Sequence, residues 1–224
     1  TLVDTVAPTV SSWTTSMNAK TNAVPMTYTL VFSESIDPTT LTASDLTITG
    51  CASTPTFSTS DNRTFTVTLT GCADGTITVK LLANSIADLA GNAGPASDTS
   101  VISRILDTVV PTVSWGSNPT TPTNQSSVFQ VNFSEAVTGF TSSSLRNAGT
   151  AGSCVFTVAT ISAGYQYSVT VSSCTDGTLI PEVIANSVTD ASGNTGPATN
   201  PSNDRLAGPI QVDTSAPVAT FTTK

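Results

Sequence analysis

The sequence predicts an all-β chain of two tandem sandwich domains arranged end to end. Three observations carry that prediction: an internal repeat, short runs of alternating apolar residues, and a composition in which charged residues are only 10%. The repeat is the strongest. Val3-Asp4-Thr5-Val6-Ala7-Pro8-Thr9-Val10 returns as Leu106-Asp107-Thr108-Val109-Val110-Pro111-Thr112-Val113 and starts again at Val212-Asp213-Thr214-Ser215-Ala216-Pro217. Between these openings the same words recur in the same order. Phe32-Ser33-Glu34 matches Phe133-Ser134-Glu135, and Cys72-Ala73-Asp74-Gly75-Thr76 matches Cys174-Thr175-Asp176-Gly177-Thr178. Ala83-Asn84-Ser85-Ile86-Ala87-Asp88 matches Ala185-Asn186-Ser187-Val188-Thr189-Asp190, and each continues to a Gly-Asn pair. The period of about 103 residues is one sandwich domain long. It divides the chain into residues 1–105, 106–211 and a third start over 212–224, as expected of a segment from a longer array.

Each strand is read from alternation, because successive side chains on a strand face opposite sides. Tyr28, Leu30 and Phe32 share one parity, as do Phe65, Val67 and Leu69, then Ile77, Val79 and Leu81. The second repeat gives Phe129, Val131 and Phe133, then Tyr165, Tyr167, Val169 and Val171. Asp-Gly and Gly-Asn pairs with Pro8, Pro25, Pro38 and Pro55 punctuate the runs as turns. One residue is discordant. Pro181 stands where the first repeat has Val79, and a proline cannot donate to a ladder, so a bulged or edge strand is expected there.

Charge excludes some functions. A net charge of −8 and seven basic residues scattered along the chain are the wrong electrostatics for nucleic acid. No apolar run approaches the roughly 20 residues of a membrane span, so no membrane insertion is expected of this segment. The absence of a leader at Thr1 is expected of a mature or trimmed segment. The chain contains no histidine, which removes Ser-His-Asp and Cys-His machinery and histidine metal sites. No lysine lies between Asp107 and Asp213, so a Lys-Asn isopeptide bond is impossible in the second repeat. A hydrolase has no positive evidence.

The Asp-Thr-x-Ala-Pro-Thr-Val opening, the Phe-Ser-Glu strand end, Ser44-Asp45-Leu46-Thr47-Ile48 and the Asp-x-x-Gly-Asn turn together resemble the bacterial immunoglobulin-like (Ig-like) repeats of large surface proteins and adhesins. The resemblance covers nearly the whole chain. It implies Ig-like β-sandwiches and a role as non-catalytic spacers outside the cell, at the bacterial surface or in the periplasm, with neighbouring repeats as partners. The second repeat departs from the pattern where Ser-Leu-Arg-Asn replaces Ser-Asp-Leu-Thr, which puts local strand boundaries in question.

In the strand order of such a sandwich, Cys51 and Cys72 fall at one pole, and so do Cys154 and Cys174. Disulfides within each repeat are therefore expected, with free thiols as the alternative and an oxidising compartment as the consequence. The same order brings Asp107, Glu135 and Asp190 to one end of the second repeat, with Asp74 of the first facing the same junction. In the first repeat the corresponding set is Asp4, Glu34 and Asp88. Some relatives bind calcium at such junctions, and carboxylate oxygens are the ligands Ca²⁺ takes, so a calcium site is the candidate there. The competing reading is turn chemistry. The alternative function is a repeat that itself binds a glycan or protein, such as a host, prey or cell-surface ligand. Trp13, Trp115, Tyr165 and Tyr167 are the aromatics to watch, although packing is the expectation for both tryptophans and for one of the tyrosines.

Overall fold

The structure is a computed structural model that describes residues 3–116, 119–198, 205–206 and 208–221. Among these residues the chain is all-β, with two one-turn 3-10 helices and no helix long and apolar enough to cross a membrane. It folds as two compact units that divide between Thr108 and Val109.

In chain order the first unit runs β1 (Val10–Thr14), β2 (Lys20–Thr21), β3 (Met26–Phe32), β4 (Leu46–Thr49), β5 (Thr56–Thr59), β6 (Thr64–Leu69), β7 (Gly75–Leu81), β8 (Ile86–Ala87), β9 (Ala93–Gly94) and β10 (Ile102–Leu106). Two four-stranded sheets, β1-β3-β6-β5 and β2-β10-β7-β4, hold the core between them. The alternation read from the sequence is the alternation observed. Met26, Tyr28, Leu30 and Phe32 of β3 are buried, as are Phe65, Val67 and Leu69 of β6 and Ile77, Val79 and Leu81 of β7. β-Branched threonines fill the outward positions of the same strands, where they suit a pleated surface. The last strand continues past the expected boundary at 105: Leu106 pairs with Gly75 and is only 1% exposed within the first core.

The second unit repeats this plan with β11 (Val113–Trp115), β12 (Ser127–Phe133), β13 (Val137–Thr138), β14 (Leu145–Asn147), β15 (Val155–Ser162), β16 (Gln166–Ser172), β17 (Gly177–Leu179), β18 (Pro181–Val183), β19 (Val188–Asp190), β20 (Thr195–Gly196) and β21 (Ile210–Val212). One sheet, β11-β12-β16-β15, is continuous. The facing layer is not, and Pro181 marks the break. Where the first unit has the unbroken β7, the second has β17 paired with β21 and β18 paired with β14. The strand is divided at Ile180 rather than displaced to an edge, because Arg205 bridges Glu182 on the side opposite β14. Asn147 bridges the gap: its Oδ1 accepts from the N–H of Ile180 (2.7 Å) and of Gly149 (2.9 Å), and its Nδ2 donates to Ala151 O (2.7 Å).

The departure at Ser-Leu-Arg-Asn leaves the local turn intact. The 3-10 turn Ala43–Asp45 precedes β4, and Asp45 accepts from the N–H of Thr42 (2.6 Å). In the second unit Ser144 accepts from the N–H of Thr141 (3.2 Å) at the same place in the turn Ser142–Ser144.

Disulfides join Cys51 to Cys72 and Cys154 to Cys174. In the first unit Cys51 lies where the chain crosses from β4 to β5 in the other sheet, and Cys72 where it crosses back from β6 to β7. The bond staples the two crossovers. Closing a loop of this length stabilises by roughly 3 kcal/mol in the chain-entropy account.

The aromatics divide as core demands. Trp115 packs edge-on against Phe129 with centroids 5.9 Å apart, and Trp13 packs on the first core. Tyr167 is buried against Phe133 and Phe140. Tyr165, expected to share a strand with it, lies in the turn before β16 and is half exposed.

Candidate functional site

The recurring words resolve into a small set of devices at the two poles of each unit. In Phe-Ser-Glu the phenylalanine enters the core and the serine holds the opening segment. Ser33 Oγ accepts from Thr9 N–H (3.0 Å), and Ser134 Oγ accepts from Thr112 N–H (2.9 Å). The glycine of the Asp-x-x-Gly-Asn-x-Gly stretch allows that segment to lie close. A Cβ at Gly94 would collide with the carbonyl oxygen of Pro8, and one at Gly196 with that of Pro111.

The Asp and Asn of this stretch form a tight carboxylate cage. Asp190 is buried, and its Oδ1 accepts from the N–H groups of Ser192 (2.8 Å), Gly193 (2.7 Å) and Asn194 (2.8 Å), while Oδ2 accepts from Asn194 Nδ2 (2.9 Å). Asp88 makes the counterpart bonds to Asn92 N (2.8 Å) and Nδ2 (2.8 Å). Burial opposes ionisation of Asp190, but these donors prevail and hold it below the usual carboxylate range. The Asn92 amide does the same for Asp88.

The first unit brings Asp4, Glu34 and Asp88 together. One carboxylate oxygen from each lies within 4.8 Å of the other two. Glu34 is pushed above its ordinary value, first by burial and then by the charges of Asp4 and Asp88. By the register of the repeat, Glu135 and Asp190 of the second unit stand where Glu34 and Asp88 stand, and Asp107 stands where Asp4 does. Asp107 follows the last strand of the first unit, and its N–H donates to Thr21 O (3.0 Å).

Asp74 has a separate task. Its Oδ1 accepts from the N–H and hydroxyl of Thr108, each at 3.0 Å. Asp176 repeats this with Thr214 N–H (2.6 Å) and adds the Ser215 hydroxyl (2.6 Å), which brings it down to about 2. The Asp-Gly turn of each unit thus clamps the chain where it leaves the last strand.

Residues 4–103 match the family model of the bacterial Ig-like domain. The first repeat matches the bacterial Ig-like family over nearly its full length. The second unit carries the same motifs in the same order, on the framework just described. No curated protein matches the chain. Among solved structures it is similar to the N-terminal part of the bacterial S-layer protein SbsC, at 15% identity and a TM-score of 0.31, over 93% of this chain and 44% of that one. The chain therefore spans less than half the length of that structure.

Two features of these Ig-like units were not foreseen from the sequence. Asn92 and Asn194 act as partners of the caged aspartates, although the recurring Gly-Asn pair in which both stand reads from sequence only as a turn. The second is a pocket at the opposite pole of the second unit, lined by Ser127, Val171 and Leu179.

Proposed function

We propose that this chain is a pair of non-catalytic spacer modules of a bacterial surface protein, working outside the cytoplasm. The observation that carries this reading is where the recurring residues go. The serine of Phe-Ser-Glu and the Asp-Gly clamp hold the chain's entry and exit, the caged aspartate fixes the loop that lies against the entry, and both units have all three. A module whose shared residues fix its ends suits transmission of reach and stiffness to something distal. The two disulfides favour an oxidising compartment. Small-angle scattering of the intact chain tests the reading, because a spacer requires an elongated particle.

A cation at the acidic triad is a second proposal, favoured by the convergence of Asp4, Glu34 and Asp88. Three carboxylates of like charge repel one another, and the donor set is all oxygen, which fits Ca²⁺. The same proposal extends by repeat register to Asp107, Glu135 and Asp190. Extracellular modules bind Ca²⁺ with Kd of order 10⁻⁴ to 10⁻³ M, so millimolar calcium should stabilise by about 0.5–1.5 kcal/mol. Scanning calorimetry with and without chelator checks this. A rise in Tm that Glu34→Gln removes supports the site, and an unchanged Tm means the acids serve only as turn and cage residues.

A further inference from the structure

We propose that the second unit carries a binding pocket for the neutral, polyhydroxylated face of a sugar, at the pole that the first unit seals with Met26. The paired strands fix the equivalence. Met26 pairs with Leu69 at the start of β3, and Ser127 pairs with Val171 at the start of β12. Met26 is fully buried and fills the end of the first core. The whole segment differs in kind between the repeats: Ala23-Val24-Pro25-Met26 in the first is Asn124-Gln125-Ser126-Ser127 in the second. Four apolar residues have become four hydrogen-bonding ones.

The consequence is a pocket of about 500 Å³. That size is in the range of small-molecule sites. Ser127 is 3% exposed and lines the pocket, and its hydroxyl has no hydrogen-bond partner. A buried unsatisfied hydroxyl is costly, and a turn of the Ser127 side chain toward the pocket would let a ligand hydroxyl satisfy it. The other polar lining comes from amides and hydroxyls, including Asn124, Gln125 and Ser172, which both donate and accept. Val171, Leu179 and Val212 form an apolar wall. Among the described residues no charged side chain lines the pocket, which favours a neutral ligand over an anion or a cation. Neutral groups that both donate and accept, set against an aliphatic wall, match a sugar ring: its hydroxyls meet the rim and its C–H face meets the wall.

The inference goes beyond the spacer reading and does not depend on it. It is tested on the intact chain by saturation-transfer NMR with glucose, galactose, mannose and N-acetylglucosamine at millimolar concentration, and by a glycan array. At least one sugar should bind, and Ser127→Met, which restores the residue of the first repeat, should weaken binding at least tenfold. Gln125→Val changes an exposed rim residue and should weaken binding several-fold, so the result does not hang on how well Ser127→Met folds. Binding of a free hexose alone identifies a small sugar as the ligand, and binding on the array identifies a glycan terminus; either upholds the pocket. If no sugar binds by either method, or if binding is unchanged in both variants, the proposal is overturned. Neither result bears on the particle shape that tests the spacer reading.

Discussion

Asp190 shows how much of this chain's acidity serves structure. One carboxylate oxygen accepts from three successive backbone N–H groups where the loop turns. Asp88, Asp176 and Asp190 are all held below their ordinary values in the folded chain. A carboxylate with a lowered folded pKa contributes stability above its unfolded value, near 4, and loses it as pH falls through the folded value. Glu34 acts in the opposite sense, because its raised folded pKa makes its protonation favour the folded state as the solution is acidified. The lowered groups outnumber it. We expect Tm to fall as pH drops from 4 toward 2, read by calorimetry, and a Tm that holds steady across that range would contradict this account of the cages and clamps.

Met26 makes the complementary point about size. It is fully buried at the end of the first core, where the second unit has a serine and a pocket. Met26→Ser removes buried apolar volume from a site whose neighbours are held by sheet pairing and cannot collapse fully. We expect a loss of about 2–5 kcal/mol in the first unit by urea unfolding. A loss below about 1 kcal/mol would mean that the pole relaxes to fill the space, and that Met26 is no plug.

At the scale of the element, the divided strand of the second unit concentrates the chain's most buried charge. Glu182 on β18 is 4% exposed and is gripped from both sides. Arg146 reaches it through Nε (3.1 Å) and Nη2, and Arg205 through Nε (3.1 Å) and Nη2 (2.8 Å). The first unit has the reverse polarity at this position, with Lys80 paired to Asp98 at 2.5 Å and far more solvent around it. The arginine bonds outweigh burial and hold Glu182 below its usual range. Pro181 removes a ladder donor next to this residue, and the two guanidinium forks tie β18 to its neighbours where the ladder is interrupted. Glu182→Gln leaves both arginines facing a neutral amide. Because both arginines are partly in solvent, the expected cost is about 1–3 kcal/mol rather than the full penalty of a buried pair. It should appear in denaturant unfolding of the second unit, and a neutral result would show that the cluster is incidental.

The same elements show what the sequence reveals and what it hides. Strands β3, β6, β7, β12 and β16 were legible because a two-sided sheet buries every second residue, and that period survives in Tyr28-x-Leu30-x-Phe32. Tyr165 was misplaced because a turn can continue the parity of the strand it precedes. The effect of Pro181 was visible as a missing donor, but not its form, which depends on Asn147 reaching across to Ile180. The acidic triad of the first unit could be proposed from strand order alone, since the openings and loops of a sandwich gather by pole. Asn92 and Asn194 could not, because nothing in a Gly-Asn pair says that its amide turns back to an aspartate four residues earlier. The pocket was detectable in principle by setting Ala-Val-Pro-Met against Asn-Gln-Ser-Ser.

At the scale of the whole molecule, two separate cores carry one framework twice, and each unit closes on its own disulfide. The residues that the repeats share beyond the core fix where the chain enters and leaves, which is the property a spacer needs and a catalyst does not. A spacer is defined by its shape, which small-angle X-ray scattering of the intact chain reads without perturbing it. Two units of this size placed end to end, with centres on the order of 40 Å apart, give a radius of gyration of about 24 Å. We predict a value near that, with a pair-distance distribution that shows a second shoulder. A value of about 17 Å, expected for a single globule of this length, would contradict the spacer account.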